Sequence, residues 1–177
     1  MRKTLTHLAA ALLLALPVMM LPFGAAVAAG PGSAPEVNIV EIAHSVLKIG
    51  LAEGVSPDDA IEAMNSKAVE INMRLVGHMN VGAELQSRGL ESPRLEIFQF
   101  CRPEDAIKMV RFNPIYAAYM PCSIALVEDQ DGRFWLEMLN LDMIINAYEL
   151  PPELQAIAIT INGEMLSIIT AGATGAF

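Results

Sequence analysis

Apolar positions recur with two different periods along this chain, and the change of period is sharpest between Arg94 and Leu139. From Arg94 to Phe100 the pattern alternates, with Leu95, Ile97, Gln99 and Cys101 on one face and Glu96, Phe98 and Phe100 on the other. The stretch follows Pro93 and is rich in aromatic and β-branched residues, so it predicts a strand. Beyond Pro103 the spacing turns helical, through Ala106, Met109 and Val110. Pro103 suits a first helical position, and Glu104 and Asp105 complement the positive end of a helix. Asn113-Pro114 ends that helix, because a residue before proline is pushed out of the α region. A second strand is predicted from Met120 to Glu128, with Cys122, Ile124 and Leu126 on one face. Asp129-Gln130-Asp131-Gly132 reads as a hairpin turn with glycine where φ is positive, and a third strand runs from Phe134 to Leu139. Residues 94–139 thus predict a β-α-β-β unit.

On the N-terminal side, Ser56-Pro57-Asp58-Asp59 starts a helix. Its apolar stripe is Ile61, Met64, Ala68 and Ile71. Met73–His78 predicts a short strand and Val81–Gln86 a short helix ended by Arg88-Gly89. Val37–Ala52 is apolar at alternate and at helical positions alike, so periodicity leaves strand and helix both open there. His44 lies within it and reads as a packed or capping residue. On the C-terminal side, Leu141–Ala147 predicts a short helix, and Pro151-Pro152-Glu153 starts the last one. That helix presents Leu154, Ile157, Ala158, Ile161, Met165, Ile168 and Ile169, a face apolar enough to cover a sheet or a second subunit. The small residues from Gly172 to Phe177 are expected to form a loose tail.

The N-terminus has the features of a signal peptide. Arg2 and Lys3 precede an apolar stretch from Leu8 to Val18, and Ala26-Val27-Ala28 is a small-x-small cleavage site. The stretch is long enough to serve as an uncleaved anchor, but Pro17, Pro22 and Gly24 break it. The expected organisation is a signal peptide over 1–28, a Gly/Pro-rich linker over 29–36 and a single domain over 37–177, in a periplasmic or secreted protein. Cleavage takes away Arg2 and Lys3 and no acidic residue. The 11 basic residues of the chain become 9 against 20 acidic ones, a formal net charge of −11. Without a basic patch, neither nucleic acid nor an anionic membrane surface is an expected partner. No stable membrane insertion is expected after cleavage, and a homodimer is a candidate assembly through the last helix.

Cys101-Arg102-Pro103 with Ala106, then Met120-Pro121-Cys122, a strand and the Asp131-Gly132 turn together resemble domain-of-unknown-function family 302. The family shows asparagine or a similar residue between its first Cys and Pro, and asparagine after its second Cys. Arg102 and Ser123 stand at those positions here. The resemblance implies a compact α/β fold and no defined activity. With the periodicities, the expected class is α/β (α+β): one two-layer domain, a mixed sheet with helices mainly on one face.

The candidate chemistry lies at the ends of the Phe100 and Met120 strands. In an oxidising compartment two cysteines pair by default. If the strands are parallel neighbours, Cys101 and Cys122 sit a strand length apart, about 23 Å, whereas a disulfide needs Cα atoms within about 7 Å. If the strands are antiparallel, the cysteines come together; both arrangements stay open. Amides at the start of the Pro103 helix would favour a thiolate at Cys101, as would Arg102, while Glu104 and Asp105 oppose it. His78, ending its predicted strand, is a candidate partner for Cys101. His78, Met79, Met120 and Cys122 include soft ligand types suited to Cu(I) or haem iron, although their spacing matches no metal motif and no CxxCH is present. Methionines such as Met64 and Met109 read as core. Phe98, Phe100, Tyr116, Tyr119 and Trp135 line a small apolar pocket or fill the core. No GxSxG, HExxH, phosphate loop or CxxC occurs, which weighs against conventional catalysis. Three functions follow. The first is a small-ligand binding or accessory module with a cleft edged by Cys101, Cys122, His78, Met120 and Arg102. The second is a thiol redox protein or enzyme using Cys101, and the third is a soft-metal or haem protein. The sequence names no cofactor.

Overall fold

A computed structural model describes residues 45–147 and 149–176. The signal-peptide and linker segments and His44 lie outside these residues. The described part is α+β: a five-stranded sheet in the order β1-β5-β4-β3-β2, flanked by helices. The strands are β1 (Val46–Gly50), β2 (Arg74–Asn80), β3 (Leu95–Cys101), β4 (Cys122–Glu128) and β5 (Phe134–Leu139). Every neighbouring pair is antiparallel, where a mixed sheet is expected from the sequence. The reason is that the helix between β3 and β4 is short and returns the chain to the strand end it left. The β-α-β-β unit is present with the predicted hairpin, and Gly132 has φ +75°.

Of the ambiguous stretch 37–52, residues 37–44 lie outside the described residues and Val46–Gly50 form the edge strand β1, in which Leu47 and Ile49 pack on the core while Val46 and Lys48 face away. β2 forms the other edge. It runs two residues beyond the predicted His78, and its pairing with β3 shifts between Leu75 and Gly77.

Helix α1 (Pro57–Glu70) begins in a capping box, with the Ser56 hydroxyl accepting from the Asp59 amide and the Asp59 carboxylate accepting from the Ser56 amide. It buries Ala60, Ala63, Met64 and Ala68. Helix α2 (Val81–Ser87) follows β2, and α3 (Pro103–Phe112) follows β3. Asn113 then opens a 3-10 helix, Pro114–Tyr119, by accepting from the Ile115 amide. Helix α4 (Leu141–Ala147) is tied to α5 (Pro152–Thr174) where the buried Asn162 side chain donates to Asp142 at 2.7 Å.

The 23-residue α5 is long and apolar enough to cross a membrane by length and composition. In this fold Met165, Ile168 and Ile169 are fully buried and pack with Met64 of α1 over Phe98, Phe100, Ile124, Leu126 and Leu136 of the sheet. The expected loose tail is also corrected. Helix α5 continues to Thr174 with Ala171, Gly172 and Ala173 buried, and only Gly175 (φ +65°) ends it. Small residues there let α5 approach α1: a β-carbon on Gly172 would come within 2.5 Å of Met64 Cγ.

Candidate functional site

Antiparallel pairing brings the end of β3 and the start of β4 side by side, with Phe100 opposite Cys122. Beyond these two strand ends lies a cavity of about 110 Å3, roofed by α3, the 3-10 helix and α5. Cys101, Cys122, Met120 and Arg102, four of the five site residues expected from the sequence, line it. Most of the remaining wall is apolar, including Tyr116, Ile157 and Ala158. A second hollow of about 290 Å3 also touches Met120 and Cys122 and is bordered by Gln99 and Ser123.

Both cysteines are free thiols. The strand ends meet, yet alternation explains why the two do not pair. Cys122 stands opposite Phe100 and shares its face, so Cys101, one residue on, points the other way at the level of the sheet. A thiolate at Cys101, one of the options left open by the sequence, is not favoured. Burial pushes this thiol up from its ordinary value, and the charge of Glu104 adds to the effect. Burial raises Cys122 to about 11, with the nearby Cys101 contributing. Arg102 offers Cys101 little help, because its guanidinium is engaged elsewhere. It donates to the Ile71 carbonyl at 2.8 Å and to Glu164 at 2.6 Å, and approaches Asp105 at 3.4 Å. These contacts, the Glu164 hydrogen bond foremost, hold its pKa above the usual arginine value. Arg102 therefore ties the start of α3 to the end of α1 and to α5 while lining the cavity.

His78 is not part of this site. It pairs in register with Phe98, whereas Cys101 pairs with Arg74. Three residues of strand, about 10 Å, separate the two levels, so the candidate Cys101–His78 pair is not brought together. The imidazole instead stacks on Phe98, and its Nε2 lies 2.8 Å from Glu96. Arg94 reaches the same carboxylate at 2.7 Å and extends to Asp58 at 2.6 Å. Glu96 is only 3 % exposed, a buried carboxylate between the His78 imidazole and the Arg94 guanidinium. Alternation puts it on the inner face of β3, with Arg94 two residues before it on the same face, while His78 comes from β2, which no local pattern reveals.

Of the aromatic residues expected at a pocket, Phe100, Tyr116 and Tyr119 line the cavity, while Phe98 is in the core. Trp135 sits on the opposite face of the sheet, under the Lys48 ammonium 4.4 Å from its ring. Met73 and Met109 are buried in the cavity wall, and Met79 is exposed on β2. Among the described residues no group of three or more His, Cys, Asp or Glu side chains converges.

The family described as "Domain of unknown function DUF302" matches residues 50–171. A solved structure titled as an uncharacterised conserved DUF302 protein from Bacillus stearothermophilus is similar in fold, with a TM-score of 0.59 at 19 % identity. The likeness covers 71 % of this chain and 96 % of that one. No curated protein matches.

Proposed function

The chain belongs to the DUF302 family, and on that fold we propose that it is a binding module that takes a small ligand into the cavity at the β3 and β4 ends. The observation that carries the reading is that Cys101, Cys122, Met120 and Arg102 line one half-open, largely apolar pocket of about 110 Å3. A pocket of that size and apolar lining suits a small ligand. Binding is favoured over thiol catalysis because both thiols are held protonated and Arg102 is already bound on several sides. Arg2-Lys3, the apolar stretch after them and Ala26-Val27-Ala28 support an exported location, periplasmic or secreted. A homodimer has less support, since the apolar face of α5 is largely taken up inside the chain, leaving Ile159 and Leu166 exposed.

The test is an NMR titration of the purified protein with xenon, a probe that enters apolar cavities of this kind. Saturable shifts are expected at residues around Cys101, Cys122 and Ala158, and they should vanish in Ala158→Phe, which fills the space. No response at those residues, or an equal response in the filled variant, overturns the reading.

A further inference from the structure

Arg102 and Asp105 are the charged residues among those that line the pocket; Met73, Phe100, Met109, Ile157 and Ile161 stand for the apolar rest. A lone guanidinium beside such a wall would draw a carboxylate or a phosphate. Arg102 is not alone. Its guanidinium donates to Glu164 at 2.6 Å and to Asp105 at 3.4 Å. Asp105 also accepts from Lys108 at 3.1 Å, so two cations face two carboxylates and the charges cancel. The side chains of Arg102, Asp105 and Glu164 are only 17 %, 17 % and 18 % exposed, which shelters their attraction from water. Glu164 belongs to α5 and does not itself line the pocket. Its second carboxylate oxygen, Oε2, is buried without a hydrogen-bond partner among the described residues, which leaves Arg102 as the group that holds this carboxylate.

We propose that the pocket selects uncharged aliphatic molecules over carboxylates, and that Glu164 sets this selectivity by neutralising Arg102. The proposal rests on the binding-module reading and names its ligand class. An incoming carboxylate has two courses. It competes with Glu164 and Asp105 for the guanidinium, or it stays unpaired against an apolar wall; each forfeits hydrogen bonds or hydration that nothing replaces. The two thiols offer an anion no compensating charge. An uncharged chain meets neither cost and gains from every methylene it buries. Glu164 therefore acts on the ligand through Arg102, as a specificity-determining residue outside the wall.

The experiment is an NMR titration at neutral pH with 1-heptanol and with heptanoate, one chain ending in a hydroxyl or in a carboxylate. Heptanol should give saturable shifts around Cys101, Cys122 and Ala158, and affinity should rise about 4-fold per methylene from 1-butanol upward. Heptanoate should bind at least about 10-fold more weakly, the worth of one hydrogen bond to a charged group. Glu164→Gln keeps the side-chain shape and unmasks the Arg102 charge. It should raise heptanoate affinity by about 10-fold and leave heptanol affinity unchanged. Asp105→Asn should act in the same direction, and it keeps the test decisive if thermal unfolding shows Glu164→Gln unfolded. Glu62→Gln removes the same charge from an exposed site on α1 and should change neither affinity. Heptanoate binding as tightly as heptanol to the wild type, or no gain for heptanoate in either pocket variant, overturns the proposal. If xenon enters but neither heptanol nor heptanoate binds, the ligand class alone fails. If xenon is also refused, the binding-module reading fails with it.

Discussion

The imidazole of His78 lies flat on the ring of Phe98, centroids 4.5 Å apart and planes 11° from parallel, with its Nε2 2.8 Å from the buried carboxylate of Glu96. Glu96 thus pins the edge strand β2 to β3 from inside the sheet, and Arg94 links the same carboxylate to Asp58 of α1. Glu96→Ala leaves the Arg94 guanidinium and the His78 imidazole without their buried partner and should cost about 2–4 kcal/mol. His78→Phe keeps the stack and should cost less. Denaturant unfolding of the two variants measures the difference; a Glu96→Ala loss no larger than that of His78→Phe would show that the carboxylate does not hold the edge.

Two glycines of α5 should respond oppositely to the same change. A β-carbon on Gly172 meets Met64 at 2.5 Å and Leu136 at 2.8 Å, whereas one on Gly163 meets nothing within 4 Å. Gly163→Ala should stabilise by up to about 1 kcal/mol through helix propensity. Gly172→Ala should destabilise by about 1–3 kcal/mol through overpacking, less whatever propensity returns. Thermal unfolding of the pair checks the sign at each site.

The hairpin turn carries an acid-sensitive contact. The Trp135 indole N–H donates to Asp129 at 2.8 Å, and the Arg133 amide donates to the same carboxylate. These hydrogen bonds, the indole first, lower the Asp129 pKa from 3.8 to about 2. A depressed folded-state value stabilises the fold above the ordinary carboxylate range and loses that contribution as pH falls through about 2. Trp135 is the sole tryptophan, so its fluorescence should titrate with a midpoint near 2. Asp129→Asn should remove that transition, and a midpoint near 4 in the wild type would mean that the indole contact is absent in solution.

Alkylation offers a direct check on the thiols. Burial raises both, Cys122 to about 11, so the folded protein should react slowly with iodoacetamide at neutral pH and faster as pH rises, Cys122 lagging Cys101. After non-reducing unfolding, mass spectrometry should count two alkylated cysteines. A fast neutral phase at Cys101 would restore it as a nucleophile.

The sequence made plain whatever depended on near neighbours. Alternation in β3, the Ser56 cap, the Gly132 turn and the stop at Asn113-Pro114 are each decided within a few residues, and each stands in the fold. The cavity was partly legible, since Cys101, Arg102, Met120 and Cys122 flank one helix-containing connection whose ends an antiparallel pairing must join. Contacts set by distant segments were not legible. Arg102 meets Glu164, 62 positions on, and His78 meets Glu96, 18 positions on. Neither partner has a local signature. The final small residues read as loose because smallness marks both a frayed end and a close helix crossing, and only Met64 and Leu136 on the other side distinguish them.

The lid of this core comes largely from one helix. Phe98, Phe100 and Leu126 are covered by Met165, Ile168 and Ile169, which lie within the closing turns of α5. Without these three side chains the inner face of the sheet is left as a bare apolar surface. A chain truncated before Met165 would therefore yield an adhesive fragment rather than a smaller protein.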